Sequence, residues 1–333
     1  MELIGDEHAS LEPLKGRTIA VLGYGNQGRA QGLNLRDTGM TVIVGNRDDE
    51  YRQQAIDDGF QPMDIADAAR QGDVLLVLTT DESQPRIWDS EIAPGIEAGN
   101  CLVWGSGYNV GYGLLDLPED ADVIMVAPRM VGENVRALYE QGSGAIAQFA
   151  IHQDATGRAR DMALALCKGI GLTRGGVFES SFREEAELDL FAEQVVWAGL
   201  TAWLVECFEI GVEMGFSPEL LVMELYASGE AAEIVGLMAE MGFFRQMSVH
   251  STTSQYGTLS RGPEILSDEM RAKGRELFRR DIRGGAFVEE WSREQAGGSQ
   301  RLKALKERAL QHPMSQAEVK VIEAIRRAHG LER

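Results

Sequence analysis

The stretch Thr18-Ile-Ala-Val-Leu-Gly-Tyr-Gly-Asn-Gln-Gly28 joins an apolar run to three glycines spaced Gly-x-Gly-x-x-Gly. A helix-favouring segment from Gln27 to Arg36 follows, and the next apolar run is Thr41 to Gly45. This order is typical of dinucleotide binding: one glycine permits the tight turn, one lets the backbone approach a pyrophosphate, and one packs the helix on the strand. Asp48 lies about 20 residues beyond the last glycine, as that pattern requires. A role for the glycines in packing alone is the less favoured alternative.

Composition excludes several classes of protein. The 333 residues predict about two domains, and 44% of them are apolar. A net charge of −20 without a Lys/Arg cluster argues against a nucleic-acid partner. No apolar run reaches the roughly 18 residues of a membrane helix, and the N-terminus lacks a secretion signal, so we expect a cytoplasmic protein with no membrane partner. Cys101, Cys167 and Cys207 lack metal-ligand spacing, which predicts small buried side chains.

Apolar runs alternate with helix-favouring segments through the first half of the chain. Beyond the first two, they are Val74–Leu78, Cys101–Trp104, Val123–Ala127 and Ala145–Ile151. This alternation predicts an α/β fold with a doubly wound parallel sheet of the Rossmann type. Ligands of such sheets lie beyond the carboxyl ends of the strands. The loops expected there are Thr79–Glu82, Gly105–Asn109 and Pro128–Glu133.

Strand patterns give way to long helix-favouring stretches near Phe182. These stretches are Glu184–Gly215, Pro218–Met241, Ser267–Phe278 and Gln300–Gln311. The change of period predicts a dinucleotide-binding domain over residues 1–180 and an all-α domain over residues 181–333.

Three carboxylates recur every four residues on the first long helix. Glu185, Asp189 and Glu193 therefore align along one face. A solvated acidic face would tolerate their repulsion, whereas a site for hard cations such as Mg²⁺ would use it. The spacing alone leaves both interpretations open.

Five segments carry a resemblance to a known family: Val21–Gly28, Leu33–Gly39, Val123–Pro128, Phe182–Gln194 and Ser251–Gly257. They are similar to the short-form, class I ketol-acid reductoisomerases, and the resemblance covers nearly the whole chain. It implies a nucleotide-binding domain joined to a knotted helical domain, two Mg²⁺ ions, and a homodimer or larger homo-oligomer whose interface completes each active site. It also implies a nicotinamide coenzyme, and a small branched acetohydroxy or 2-keto acid as substrate.

The resemblance assigns roles to particular residues. Asp189 matches the family's metal-bridging residue, Glu193 its second metal ligand, and Glu230 an acidic residue given by the partner subunit. Ser251 matches a hydroxyl that contacts the substrate carboxylate. The implied catalytic residues are Asp189, Glu193, Glu230, Arg129 and Ser106, and the implied coenzyme-binding residues are Gly23, Tyr24, Gly25, Asn26, Gln27, Gly28, Arg47, Asp48, Thr79, Asp81, Gln84 and Gly107.

The partner helix departs from the family pattern. The family places two acids four residues apart, whereas Glu224 and Glu230 are six apart. Six residues put the pair on different faces of a continuous helix, unless Gly229 breaks it. Glu224 is a metal-ligand candidate on this basis, and Glu233 is the alternative.

Two loops also depart from the family. Ser106 stands where the family has histidine, and a hydroxyl cannot carry charge near neutral pH as imidazole can. His250, beside Ser251, is the histidine nearest to a site motif, and a structural role for it is favoured. In the other loop Arg129 replaces lysine with a wide planar fork, and Glu133 replaces a second histidine.

The segment Asn46–Glu50 bears on coenzyme choice. Its three acids would repel a 2′-phosphate, and Asp48 could accept from a ribose hydroxyl, so NADH is favoured over NADPH. Arg47 and Arg52 leave a route to the phosphate, and stacking on adenine is another role for Arg47.

Three functions follow from these patterns. The first is a Mg²⁺-assisted, NAD(P)H-dependent reductoisomerase of the branched-chain amino acid type. The second is a diverged relative that has lost alkyl migration and reduces another ketone, hydroxy acid or imine. The third, a nucleotide-binding protein without catalysis, is disfavoured because Asp189, Glu193, Ser251 and the glycine loop are all present.

Overall fold

The computed structural model describes residues 2–330, and the chain divides between Asp189 and Leu190 into two compact units. The first unit contains one seven-stranded sheet of order β2-β1-β3-β4-β5-β6-β7. Its strands are β1 Thr18–Leu22, β2 Thr41–Gly45, β3 Val74–Val77, β4 Cys101–Trp104, β5 Asp122–Pro128, β6 Ala147–Gln153 and β7 Val177–Glu179. Its α-helices are α1 Asn26–Asp37, α2 Glu50–Asp57, α3 Ile65–Gln71, α4 Gln84–Ile87, α5 Tyr108–Gly111, α6 Gly132–Glu140 and α7 Ala159–Ile170, and the division falls within the next helix, α8 Phe182–Phe191.

The central strands are buried on both faces, which explains their continuous apolar sequences. One apolar layer holds Val21 and Val103 with residues of α1 and α7 such as Leu35 and Leu166. The layer on the other face holds Leu75, and Trp88 packs there against Trp104 at a ring distance of 5.7 Å. The two layers make the Rossmann-like sheet that the sequence predicts.

The far edge of the sheet departs from the all-parallel arrangement that the sequence predicts. β6 runs antiparallel to β5, with Ala147 opposite Pro128, and β7 then runs parallel to β6. The cause is the connection: α6 packs on α1, and the chain returns to the end of β5 that it left. There the N–H of Arg129 donates to the backbone oxygen of Ile146 at 2.9 Å. A parallel β6 would have to start at the opposite end of the sheet.

The second unit is helical. Its α-helices are α9 Ala198–Glu213, α10 Pro218–Val222, α11 Glu230–Met241, α12 Thr252–Ile265, α13 Asp268–Leu277, α14 Ala286–Ala296, α15 Gln300–Leu310 and α16 Pro313–Ala328. Wider π-helical turns occupy Ala192–Trp197, Met223–Ala227 and Phe278–Arg283. Its buried core is small and joins α9, α10 and α16 through Phe208, Val222, Met314, Ala317 and Val321.

One helical run in the structure meets a simple test for a membrane span. The helical run Phe182–Glu213 has 32 residues and is apolar enough, by length and composition alone, to cross a membrane. Charged residues such as Glu193, Glu206 and Glu209 divide this helical run, so no uninterrupted apolar run in it reaches 18 residues, and the expectation of no membrane partner stays a prediction. One such helix is weak evidence for a membrane protein, because helices that pack on protein pass the same test.

Candidate active site

Glycine is needed at each of the three positions of the Gly23–Gly28 loop for a different structural reason. Gly23 has φ of +96°, and a Cβ there would lie 2.8 Å from the backbone nitrogen of Thr79. A Cβ on Gly28 would lie 1.9 Å from the oxygen of Gly23, so this glycine packs α1 against the turn. A Cβ on Gly25 would meet nothing within 4 Å. Gly25, at the start of α1, therefore leaves open the space that an approaching phosphate needs.

The other side chains of this loop fasten it to neighbouring segments. Tyr24 is fully buried, and its hydroxyl donates to Oδ2 of Asp58 at 3.1 Å. Gln27 Nε2 donates to the oxygen of Met130 at 2.8 Å, and the N–H of Gly132 donates to Oδ1 of Asn26 at 2.6 Å. Tyr24, Asn26 and Gln27 thus hold the loop through their side chains. The same contacts tie the loop to the segment after β5.

The segment after β2 is held by Asn46. Oδ1 of Asn46 accepts from the N–H of Tyr24 at 2.9 Å, and Nδ2 donates to Oδ1 of Asp49 at 2.8 Å. Asp49 caps α2, and Arg47 donates from Nε to Oδ2 of Asp49 at 2.6 Å. Asp48, the predicted ribose acceptor, is exposed. From the sequence, Asp49 was one of three acids expected to repel a 2′-phosphate, and no role was indicated for Asn46.

The loops after β3 and β4 are joined by the buried side-chain amides of Gln84 and Asn109. Gln84 Nε2 donates to the oxygen of Thr79 at 2.9 Å, while its Oε1 accepts from Trp104 at 3.0 Å and from Asn109 at 2.9 Å. Asn109 Nδ2 also donates to the oxygen of Asp81 at 3.0 Å. Gln84, predicted to contact coenzyme, is buried and positions these two loops.

Three buried polar atoms in these loops have no hydrogen-bond partner within residues 2–330: Thr79 Oγ1, Tyr108 OH and Asn109 Oδ1. Burial raises the pKa of Tyr108 to about 12, so its hydroxyl stays protonated at neutral pH. Buried polar atoms are nearly always satisfied in folded proteins, by protein, water or ligand. These atoms lie at the carboxyl ends of the strands, where a coenzyme would supply the missing partners.

Arg129 links two of the three carboxylates in the acidic stripe. Its Nη1 lies 2.6 Å from Oε1 of Glu185, and its Nη2 lies 2.6 Å from Oδ1 of Asp189. The Glu185 side chain is 3% exposed and that of Asp189 is 44% exposed. Burial raises the pKa of Glu185, and the N–H of Gly107 and the Arg129 guanidinium oppose that rise. The Arg129 guanidinium thus binds the buried carboxylate of Glu185 and the partly exposed carboxylate of Asp189 at the same time.

The sequence placed Glu185 in the acidic stripe but assigned it no individual role. Its Oε2 accepts from the N–H of Gly107 at 2.6 Å. Gly107, predicted to contact coenzyme, is buried, and a Cβ there would lie 2.0 Å from the oxygen of Phe182. Glu185 therefore joins the loop after β4 to α8. Its four-residue spacing from Asp189 was the signal in the sequence.

Two of the three departures from the family pattern lie in the loops after β4 and β5. Ser106 Oγ accepts from the N–H of Tyr108 at 3.2 Å, so the hydroxyl stabilises a turn. Met130 and Val131 are exposed, and Glu133 lies in the first turn of α6.

The remaining candidates lie in the second unit. Glu193 is in the π-helical turn Ala192–Trp197, and Glu224 is in the turn Met223–Ala227. The predicted break exists: Gly229 has φ of +91°, and Glu230 begins α11. Among residues 2–330, no three His, Cys, Asp or Glu side chains come together to hold a metal ion.

The residues around Ser251 form a helix start. Ser251 Oγ accepts from the N–H of Ser254 at 3.2 Å and caps α12. The neighbouring His250 bonds from Nε2 to Oε1 of Gln246 at 3.0 Å, which is the structural role favoured for it. A surface hollow of about 500 Å³ lies nearby, lined by residues including Met241, Phe244 and Leu259.

Two family models together cover most of the chain. The NADPH-binding domain of the acetohydroxy acid isomeroreductases matches residues 13–176, and the ketol-acid reductoisomerase C-terminal domain matches residues 182–327. The chain is 44% identical over 311 residues to "Ketol-acid reductoisomerase (NADP(+))" of Pyrobaculum islandicum, covering 93% of each. It is 42% identical over 333 residues to the same-named protein of Methanopyrus kandleri, covering 99% of each.

A solved structure matches both units. It is an NADH-preferring ketol-acid reductoisomerase from an uncultured archean, similar at a TM-score of 0.92 and 35% identity. The match covers 97% of this chain and 99% of that one.

Proposed function

The chain belongs to the ketol-acid reductoisomerase family of NAD(P)H-dependent oxidoreductases, and from this premise we propose that it reduces a small branched 2-keto or acetohydroxy acid with the help of Mg²⁺. The observation that carries the proposal is the bridge from Arg129 to Glu185 and Asp189. The segment after Arg129 is bonded to Asn26 and Gln27 of the glycine loop. Coenzyme loop and carboxylates therefore belong to one connected framework.

The carboxylate oxygens available here are the type of ligand that Mg²⁺ prefers. Mg²⁺ takes carboxylate oxygens and keeps waters that a substrate can replace. Asp189 offers a half-exposed carboxylate, and Glu193 follows four residues later with an exposed one. We assign both as ligands, with Glu230 of a second copy completing the set, because residues 2–330 of one chain contain no three-ligand cluster. When bound, the ions would polarise the substrate carbonyl and stabilise developing alkoxide charge.

The chain's own residues would prepare this chemistry. Arg129 holds the Asp189 carboxylate in position, and Glu185 fixes Arg129 from the buried side. Ser251, exposed at the start of α12, is assigned to donate to the substrate carboxylate. The glycine loop would hold the pyrophosphate while Thr79 and Asn109 meet the rest of the coenzyme. When bound, a reduced nicotinamide coenzyme would supply the hydride for the carbonyl carbon.

A second candidate function keeps the reduction and lacks the alkyl migration. It is favoured by Ser106, which accepts from a backbone N–H where the family has an imidazole, and by Glu133, which replaces another histidine. Oxidation of NADH with 2-acetolactate tests the complete reaction. Oxidation with 3-hydroxy-3-methyl-2-ketobutyrate tests the reduction alone. Turnover of the second compound only would establish the diverged function.

We propose NADH as the preferred coenzyme. Asp48, Asp49 and Glu50 make the segment after β2 acidic, which disfavours a 2′-phosphate. The related archaeal structure is described as NADH-preferring, whereas the Pyrobaculum and Methanopyrus proteins are named for NADP⁺. A tenfold preference for NADPH in kcat/KM, about 1.4 kcal/mol, would contradict this assignment.

We propose that a second copy covers the apolar surface of the helical unit. Large side chains are exposed there, among them Trp197, Trp203, Phe216, Leu220, Phe243 and Phe244. Large apolar side chains that are exposed in such number favour an interaction surface. A second copy would bury the long apolar helix in protein and would bring Glu230 to its partner's carboxylates.

Calorimetric titration tests the metal assignment without using activity. Mg²⁺ added to the coenzyme-loaded protein should release or absorb heat, and the Asp189→Asn variant should lose it. Glu184→Gln is the matched control, because Glu184 is an exposed carboxylate on the same helix that bonds to Ser180. The absence of heat from the unaltered protein at millimolar Mg²⁺ would refute a metal-assisted reaction.

A further inference from the structure

The loop after β4 carries a tyrosine whose hydroxyl the protein leaves unbonded. The N–H of Gly107 donates to Glu185 at 2.6 Å, and the N–H of Tyr108 donates to Oγ of Ser106 at 3.2 Å. The Tyr108 hydroxyl is buried, yet it has no hydrogen-bond partner in the described part of the chain. A buried hydroxyl of this kind destabilises the folded chain unless a ligand supplies its partner.

The ring of Tyr108 is held in place although its hydroxyl is not bonded. It packs on the ring of Tyr112 at a centroid distance of 5.4 Å. The guanidinium of Arg183 lies over the Tyr112 ring, 4.2 Å from its centre, and Arg183 Nε donates to Oε1 of Glu187 at 2.8 Å. Helix α8 therefore supports the short helix α5 and limits the movement of the Tyr108 ring.

The unbonded hydroxyl is a hydrogen-bond donor at neutral pH. Burial, with a smaller contribution from the negative charge of Asp81, raises the pKa of Tyr108 to about 12. A protonated phenol can donate to an oxygen on which negative charge develops, and such charge-assisted bonds are among the strong ones. Tyr108 as a whole is only part-buried, so its hydroxyl lies near the surface that a ligand would approach.

In the hydrogen-bonded framework, Tyr108 lies between the coenzyme loops and the carboxylate assigned to the metal. On one side, the next residue in the chain is bonded through Gln84 to the loop after β3. On the other side, Gly107 is bonded to Glu185, whose guanidinium partner also binds Asp189. Hydride transfer has to take place where coenzyme and substrate meet, which in this framework is the position of Tyr108.

We propose that the Tyr108 hydroxyl is a catalytic hydrogen-bond donor to the carbonyl oxygen of the substrate. The inference rests on the proposed reduction and adds a residue to it. Hydride from the reduced coenzyme adds to the carbonyl carbon, the C=O π-electron pair moves onto the oxygen, and a proton from water completes the alcohol. The phenol keeps its own proton and stabilises the negative charge that develops on that oxygen. The other two unpaired atoms, on Thr79 and Asn109, remain assigned to the coenzyme.

The substitution Tyr108→Phe removes the hydroxyl and keeps the ring. Because the hydroxyl has no partner among residues 2–330, its loss should leave the unfolding temperature of the ligand-free protein unchanged or raise it. Coenzyme affinity, followed by coenzyme fluorescence without substrate, should also stay unchanged. A fall in the unfolding temperature would show that the hydroxyl is bonded within the protein, and would overturn the proposal.

The kinetic measurement uses 3-hydroxy-3-methyl-2-ketobutyrate, because its turnover reports the reduction alone. Tyr108→Phe should lower kcat and kcat/KM for this compound together by about 100-fold, as expected when a donor acts in the transition state. Tyr112→Phe is the matched control, because it removes a hydroxyl from the ring that packs on Tyr108 and keeps that packing. It should leave kcat nearly unchanged.

Three kinetic outcomes would also overturn the proposal. An unchanged kcat in Tyr108→Phe would show that the hydroxyl does not meet the reacting oxygen. Weaker coenzyme binding as the sole change would assign the hydroxyl to the coenzyme instead. Equal falls in kcat for Tyr108→Phe and Tyr112→Phe would indicate general damage to α5. If the unaltered protein oxidises neither NADH nor NADPH with this compound or with 2-acetolactate, the proposed function itself is refuted, and the role of Tyr108 with it.

Discussion

The backbone N–H of Gly107 donates a 2.6 Å hydrogen bond to Oε2 of Glu185. Both oxygens of this buried carboxylate are thereby occupied, since Oε1 accepts from Arg129. Glu185 thus connects the loop after β4, the end of β5 and helix α8, which are the parts of the first unit that surround Asp189.

Gly107→Ala should damage this arrangement. Its Cβ would lie 2.0 Å from the oxygen of Phe182 and 2.9 Å from Oε2 of Glu185, so the backbone of the loop or of α8 must shift. We expect a loss of about 2 kcal/mol in the free energy of unfolding, with a large fall in kcat. Denaturant unfolding and steady-state kinetics measure the two effects. Gly105→Ala is a milder comparison, because its Cβ would meet only the side-chain end of Leu78. Equal stability of the two variants would contradict the assigned role of Gly107.

The glycine loop offers a pair of alanine substitutions with opposite consequences. Gly25→Ala should leave thermal stability nearly unchanged, because its Cβ meets no atom within 4 Å, and should weaken coenzyme binding by about tenfold or more. Gly28→Ala should lower stability itself, since its Cβ would lie 1.9 Å from the oxygen of Gly23. Unfolding temperature and coenzyme affinity together distinguish the two. Undiminished coenzyme affinity in Gly25→Ala would show that the coenzyme does not approach there.

The sequence predicted the fold best where the local structure depends on residues that are close together in the chain. The apolar run of β1, the glycine spacing and the start of α1 are local, and the structure places α1 at Asn26–Asp37, within a residue of the predicted bounds. The break at Gly229 was also predictable, because glycine alone readily adopts its φ of +91°.

Pairing between distant segments was not predictable in this way. The antiparallel β6 depends on where the chain returns after α6, and β7 has only three residues. The partners of Glu185 in the acidic stripe were not predictable, because Arg129 and Gly107 lie 56 and 78 residues away in the sequence. The apolar character of the helical run Phe182–Glu213 is visible in its average composition and not as an uninterrupted apolar run, because charged residues such as Glu206 and Glu209 divide it.

Two substitutions of Arg129 should distinguish the contribution of its positive charge to stability from that of its guanidinium geometry. Arg129→Gln leaves Glu185 buried without a counter-charge, and should cost about 2 kcal/mol of unfolding free energy. Arg129→Lys retains the charge but cannot reach both carboxylates with separate nitrogens, so we expect about half that loss. Arg70→Gln, which breaks an exposed pair with Asp67, should change stability by less than about 0.5 kcal/mol. Denaturant unfolding at neutral pH measures all three, and equal losses for Arg129→Lys and Arg129→Gln would show that the fork has no special role.

Asp58 gives the stability of the first unit a definite pH dependence. Hydrogen bonds from Arg29 at 2.7 Å, and more weakly from the Tyr24 hydroxyl, hold its pKa below the ordinary value against the opposing effect of burial. A lowered carboxyl pKa stabilises the folded state above the unfolded-state value of about 3.9, and that contribution disappears as pH falls through the folded-state pKa. Asp58→Asn should therefore lower the unfolding temperature at pH 7, and the difference from the unaltered protein should shrink below about pH 4. Tyr24→Phe, which removes one donor and keeps the Arg29 pair, should show a smaller pH-dependent difference. Thermal scans from pH 7 down to the lowest pH at which the proteins stay folded measure these differences, and a difference for Asp58→Asn that persists undiminished at the acid end would place its origin outside the ion pair.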